Sequence, residues 1–307
     1  MNLLNGMTSN KQKVLIVGFG SIGKKHYQAC KKLGVQIFVI SRSKKIESKD
    51  KPVFITKSNA LKLKFSLIIL CNNTDEHISD LFLFYKCGQK ILVEKPLHYK
   101  RFEKNELLKL LKMTKVYVGY NLRHLEIIKF LKKVLSNKQA KLISTTFKDD
   151  CRSWYKNRNI NDSYVLNKQK GGGALLTNYH EIDYIKYILS TEIINIKCLP
   201  IYNKEKYTAD ISNEVKGEMK NNVFFKSNLE ILSKSRKRIG EVVLTDSKIL
   251  WDIDKGKVWN EKKEILFDKE TDYPASYMMQ INDILNNSNP ICSTLESNIN
   301  DTKKIFR

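Results

Sequence analysis

The sequence contains no apolar run approaching the roughly 20 residues that a membrane-spanning helix needs, and its first ten residues lack the charged-then-apolar plan of a secretory signal. Both absences point to a cytoplasmic protein with no membrane partner. The six cysteines (Cys30, Cys71, Cys87, Cys151, Cys198 and Cys292) include no CxxC pair, and several lie in apolar stretches. Reduced thiols are therefore expected, with neither a metal site nor a disulfide framework. Acidic residues are scarce beside basic ones, 32 against 55, for a net charge of +23. Such a charge raises nucleic-acid binding as a function class. The lysines, however, are spread along the chain, and the short clusters at 11–13, 44–45 and 234–237 lack the interleaved aromatics of a stacking platform. No nucleic-acid partner is expected, and the charge suits anionic small ligands instead. Internal repeats and flexible linkers are also missing.

What is present fills 307 residues with 42% hydrophobic content, enough for two domains with cores of ordinary size. The first third alternates short β-branched runs (14–17, 37–40, 53–55, 67–71, 91–93 and 116–118) with helical patterns at 24–33, 77–87 and 102–113. That alternation predicts βαβ units and a doubly wound parallel sheet over residues 1–120. From 121 to 307 the pattern changes. Consecutive strands at 142–147, 193–199, 209–219, 223–231, 238–244, 249–253 and 257–259 predict an α+β domain with a mainly antiparallel sheet, accompanied by helices at 125–135, 175–189 and 277–285.

The first strand ends in Gly18-Phe19-Gly20-Ser21-Ile22-Gly23, a GxGxxG between strand and helix. Gly18 suits the tight turn, Gly20 lets the backbone approach a pyrophosphate, and Gly23 permits close helix packing, so these six residues are candidate dinucleotide contacts. The pyrophosphate would rest on the N–H groups of the helix start. After the second strand, where a carboxylate would accept a ribose 2′-hydroxyl, the chain has Ser41-Arg42-Ser43-Lys44-Lys45. Two hydroxyls and a guanidinium suit a 2′-phosphate, which predicts NADP(H) in preference to NAD(H).

Further candidates follow the fourth strand, where Asn72, Asn73 and Thr74 face the nicotinamide-side ribose and His77 either joins them or caps the next helix. The fifth strand closes on Glu94-Lys95-Pro96, placing an ammonium at the carboxyl edge of the sheet, where open α/β sheets bind ligands. A surface lysine before a turn proline has the same sequence. Gly119-Tyr120-Asn121-Leu122-Arg123-His124 marks the crossover between domains, and Gly171-Gly172-Gly173 opens a helix carrying Thr177, Asn178, His180 and Asp183.

In this order and spacing the segments resemble the Gfo/Idh/MocA family of NAD(P)-dependent oxidoreductases, over nearly the whole chain. The resemblance implies a Rossmann domain, a C-terminal domain whose open sheet makes a homodimer or homotetramer, and a cis Lys95-Pro96 bond. It also implies hydride transfer to or from a carbinol or keto carbon of a sugar, cyclitol or nucleotide sugar, with Lys95 and His180 beside the reacting carbon. From the chemistry, His180 is then the proton carrier and Lys95 steadies the developing alkoxide. Tyr120, Arg123, Thr177, Asn178 and Asp183 are candidate substrate contacts, with Asp183 on the same helix face as His180. Trp154 and Tyr164 either flank a sugar ring or anchor their loop. The chain departs from the family where many relatives carry an aspartate and Thr177 stands, and its glycine-to-histidine spacing is compact, as in a subgroup associated with surface-glycan biosynthesis. The uncharged Thr177 keeps open a redox-inactive sensor or scaffold of the same fold.

Overall fold

The computed structural model describes residues 11–42, 52–154, 160 and 163–306. Strands β1 (Lys13–Val17), β2 (Gln36–Ile40), β3 (Val53–Phe54), β4 (Phe65–Leu70), β5 (Gly88–Glu94) and β6 (Val116–Gly119) form a parallel sheet in the order β6-β5-β4-β1-β2-β3. Near-continuous runs such as Val14-Leu15-Ile16-Val17 are buried on both faces, as a sheet covered on each side by helices requires. The covering helices are α1 (Ser21–Lys32), α2 (Lys57–Ala60), α3 (His77–Phe84) and α4 (Lys104–Leu110). Register aligns Val17 with Leu70, Leu70 with Val93 and Glu94 with Gly119. The carboxyl ends of the four central strands therefore share one edge.

A 3-10 turn (Asn121–His124) and α5 (Glu126–Leu135) carry the chain into a second sheet. Its strands are β7 (Ala140–Asp150), β8 (Ile193–Tyr202), β9 (Asp210–Met219), β10 (Phe224–Glu230), β11 (Leu232–Leu244), β12 (Lys248–Asp252), β13 (Lys257–Asn260) and β14 (Ile265–Asp268), in the order β14-β13-β12-β11-β7-β10-β9-β8. Only the β7–β10 pair is parallel. Alternate residues of β7 and β10, including Ile143, Phe147, Phe225 and Leu229, turn inward onto the core, while Leu142 and Phe224 stay exposed on the opposite face. The glycine-triplet segment and its helices, α6 (Ala174–Thr177) and α7 (His180–Leu189), lie between β7 and β8 in sequence.

The end of the chain returns to the first sheet. Helix α8 (Tyr273–Asn286) packs on α1, bringing Tyr277 edge-on to His26 with centroids 5.2 Å apart, and β15 (Ser293–Thr294) pairs antiparallel with β6 before α9 (Leu295–Ile305). Pattern reading starts α8 four residues late because Pro274 breaks the apolar period, yet proline is tolerated in the first turn. There Asp272 accepts the Ala275 N–H at 2.8 Å. It also misses β14 and β15, which are short, and begins β11 at Arg238 because the polar stretch before it pairs irregularly between Leu232 and Lys237.

Candidate functional site

The glycine turn is shaped by its neighbours. Gly18 has φ +93°, and a Cβ there would stand 2.6 Å from the Asn72 nitrogen, so β1 can meet β4 this closely only through glycine. A Cβ on Gly23 would come within 2.1 Å of the Gly18 carbonyl, whereas one on Gly20 would meet nothing within 4 Å. The open side of the turn thus lies at Gly20, the cap of the 12-residue α1. No side chain caps that helix start, and no acidic residue occupies its first turn. Free N–H groups and the positive end of the helix dipole face this opening, a fit for a pyrophosphate. Ser21 is exposed beside it. Phe19 and Ile22 belong to the support of the turn: Phe19 stacks edge-on against Tyr27 and Phe54, and Ile22 packs on the same apolar cluster.

At the end of β2, Ser41 and Arg42 lie beside this turn, and Ser43 falls outside the described residues. Arg42 is exposed and ion-pairs with Glu76, from the 3-10 turn after β4. Asn72 donates its amide to Asp80 (2.7 Å) and Glu76 (3.2 Å), leaving its side-chain oxygen buried without a partner. Asn73 opens that 3-10 turn, and Thr74 is buried where a Cβ on Gly171 would touch it at 2.7 Å. His77, expected either to join the cofactor contacts or to cap the next helix, stands at the first position of α3. It is buried, with Nδ1 3.0 Å from the Pro96 carbonyl and Nε2 3.2 Å from the Asn72 carbonyl, so it braces the loops after β4 and β5.

Glu94 is likewise turned inward. Its Oε1 is 2.7 Å from His26 Nε2 on α1, a partner that sequence reading missed because nothing marks His26 beyond its place on the helix's buried face. Burial alone would raise the Glu94 carboxyl, but the His26 hydrogen bond and the charges of His26 and Lys95 outweigh it and hold it below the usual range. Lys95 is half-buried and donates from Nζ to the Thr177 carbonyl at 2.5 Å. Burial lowers its ammonium to about 8, against the opposing charge of Glu94.

Thr177 can accept that bond because of a break in its helix. The apolar pattern of 175–189 predicts one continuous helix, but α6 stops at Thr177 and α7 starts at His180. Asn178 turns its amide back to the Ala174 carbonyl, and the Glu181 N–H goes to the Asn178 carbonyl at 3.0 Å. The Thr177 carbonyl is thereby released from the helix ladder. Upstream, Asp210 accepts the Leu175 N–H at the start of α6, pressed so close to Gly173 that a Cβ there would lie 2.0 Å from its Oδ1. His180 is half-buried, stands edge-on to buried Tyr120 at 5.6 Å, and leaves Nδ1 without a hydrogen-bond partner. Burial drives its imidazole well below the ordinary range, and the charges of Lys95, Arg238 and Lys25 push the same way. Arg238, absent from the sequence-based candidates, is buried on β11 with Nε 2.9 Å from Glu181.

Arg123 and Asp183 grip each other, Nε to Oδ2 at 2.8 Å and Nη2 to Oδ1 at 2.7 Å, and Arg123 also reaches the Ile291 carbonyl. Both are nearly buried, so they lock the crossover turn to α7. Trp154 donates its indole N–H to Asp149 at 2.8 Å, which anchors its loop; Tyr164 is half-buried, and its carbonyl oxygen would lie 2.1 Å from a Cβ on Gly172. The Thr177 hydroxyl is buried without a hydrogen-bond partner, and Asn178 is buried with its amide spent as described.

No protein-family model matches the sequence, and no curated protein matches it significantly. Solved structures do. GenD2 from gentamicin A biosynthesis, in complex with NAD, superposes with a TM-score of 0.76 at 13% identity over 96% of this chain and 92% of that one. UDP-N-acetylglucosamine 3-dehydrogenase GnnA from Acidithiobacillus ferrooxidans gives 0.74 at 12% identity, covering 94% and 93%. Myo-inositol 2-dehydrogenase from Lactobacillus plantarum gives 0.72 at 15% identity, covering 96% and 98%. With its glycine turn, its Lys95 edge and its returning C-terminal strand, the chain has the fold of the Gfo/Idh/MocA-type oxidoreductases.

Proposed function

We propose that this protein is a nicotinamide-dependent oxidoreductase that moves a hydride between the cofactor and a carbinol or keto carbon of a sugar, cyclitol or nucleotide sugar. The observation that carries the reading is the meeting of Lys95 with the broken start of α7, two strands along the sheet edge from the glycine turn. The glycine turn and the uncapped α1 suit the pyrophosphate of the cofactor, whose nicotinamide, when bound, supplies the hydride acceptor or donor.

The chain's own residues then manage the proton. An amine lowered to about 8 is poised for general-base work near physiological pH. As a neutral amine, Lys95 keeps an N–H on the Thr177 carbonyl while its lone pair accepts the substrate hydroxyl proton. In the reverse direction its ammonium returns that proton to the nascent alkoxide. His180, held neutral, offers one N–H and one acceptor nitrogen to orient the hydroxyl. These roles reverse the assignment made from residue type alone, because the surroundings drive the imidazole down and bring the amine into range.

NADP(H) is the proposed cofactor: Arg42 stands where the 2′-phosphate would lie and would exchange Glu76 for it. The polyol-like substrates named for the similar structures support a substrate with adjacent hydroxyls. The exposed apolar side chains on the outer face of the second sheet support a homodimer or homotetramer, and a cytoplasmic setting in surface-glycan biosynthesis extends the proposal through the compact spacing alone. A second reading rests on Thr177, whose unpartnered hydroxyl stands where many relatives carry a carboxylate. Mixing the NADP(H)-loaded protein with a panel of keto-sugars, inositols and nucleotide sugars separates the two. Nicotinamide absorbance changes if the protein is an enzyme and stays constant across the panel if it is a sensor.

A further inference from the structure

Among the described residues, one group of nitrogen, oxygen and sulfur donors gathers away from Lys95 and His180. His124, Asp283 and Cys292 bring one ligand atom each to within 4.8 Å of one another. They come from three separate segments: the turn after β6, helix α8, and the return that leads into β15. Cys292 Sγ lies 3.7 Å from His124 Nε2. Zinc bonds of about 2.3 Å to sulfur and about 2.0 Å to nitrogen at a tetrahedral angle set that edge at about 3.6 Å. His124 and Cys292 are 1% and 5% exposed, so the pair is shielded from solvent.

The acid is oriented as well. Asp283 Oδ2 accepts the Ile291 N–H at 2.8 Å and its Oδ1 accepts the Asn287 amide, which fixes the carboxylate and leaves each oxygen a free lone pair. One turn earlier on α8, Gln280 is 0% exposed and neither heteroatom of its amide has an aligned hydrogen-bond partner. Its amide nevertheless lies against the Cys292 thiol. The neighbouring charge of Arg123 is already neutralised by Asp183.

We propose that His124, Asp283 and Cys292 form a three-residue structural zinc site, with the Gln280 amide beside the Cys292 sulfur, that pins the C-terminal return to the crossover turn. Zinc displaces the thiol proton to solvent, and the carboxylate and thiolate balance the charge of the ion, as a buried site requires. Closing the 4.8 Å spread to a zinc-ligand edge takes a movement of about 1 Å, which Asp283 supplies by loosening one of its two hydrogen bonds. No spacing motif announces these ligands, which is why the cysteine pattern argued against a metal.

The test uses the full chain, stripped with a chelator, reloaded with zinc chloride and dialysed into metal-free buffer. The wild type should retain one zinc per chain, and Cys292→Ser and His124→Asn should each lower zinc affinity by at least about tenfold. Cobalt in place of zinc should give a thiolate-to-metal charge-transfer band that Cys292→Ser abolishes. If either variant fails to fold, alkylation of the wild type decides: zinc should protect Cys292 and leave the other cysteines as they were. Failure of the folded wild type to hold stoichiometric zinc, a cobalt complex without the thiolate band, or zinc retention undiminished in both variants would overturn the site.

Discussion

At Lys95 burial and a neighbouring carboxylate pull in opposite directions, and burial prevails. If the neutral amine accepts the substrate proton, kcat/KM for alcohol oxidation rises as pH passes through about 8, because the deprotonated fraction grows there. Carbonyl reduction, which needs the ammonium, falls over the same interval. Glu94→Gln removes the charge that raises Lys95, so both inflections move to lower pH; an unmoved inflection, or oxidation that declines above pH 8, contradicts this role. At the cofactor end, Arg42→Ala should weaken NADP(H) by roughly tenfold or more with little effect on NAD(H), the worth of one charge-assisted contact. Glu76→Gln, which frees Arg42 from its carboxylate, should tighten NADP(H); titrations showing equal or better affinity for NAD(H) in the wild type refute the preference. Lys95 and His180 were legible because their neighbours carry a recognisable order of turns and glycines. His26 and Arg238 were not, since each gains its meaning only from packing against residues 68 and 57 positions away in sequence, at Glu94 and Glu181.

The helix break at Asn178-Tyr179 decides how the second half of the molecule reaches the first. Apolar periodicity runs straight through it, so pattern alone joins α6 to α7. At the break the Glu181 N–H turns to the Asn178 carbonyl instead of that of Thr177, while the Asn178 side chain shares the Ala174 carbonyl with its own backbone N–H. The parallel strands were legible for the opposite reason, since burial on both faces writes an unbroken apolar run into the sequence. At this scale Arg123 and Asp183 act as a clasp between the crossover turn and α7. Removing one partner strands a buried charge, so Arg123→Ala should cost about 3–5 kcal/mol in urea unfolding. The fraction that remains folded should keep the wild-type KM. A variant of unchanged stability whose KM rises would return Arg123 to the substrate site.

Across the whole molecule the second sheet presents an outer face on which Ile201, Phe224 and Ile265 are about 60% exposed among charged pairs such as Lys226–Glu214, and large apolar side chains left in water there suit a partner sheet. Sedimentation velocity should give a mass of at least twice 35.8 kDa, and the double variant Ile201→Lys, Phe224→Lys should bring it to one. A wild-type monomer at micromolar concentration dismisses that interface. The net charge of +23 follows no stripe in the sequence and says less about function than one lysine at a sheet edge. That lysine also supplies the most direct test of the central claim. Nicotinamide absorbance should be followed in single turnover for the wild type and Lys95→Ala, each loaded with NADP(H) and mixed with the same panel of sugar-like substrates. Hydride transfer should appear in the wild type and vanish in Lys95→Ala, with cofactor binding retained by both; turnover that survives without Lys95 would contradict the account.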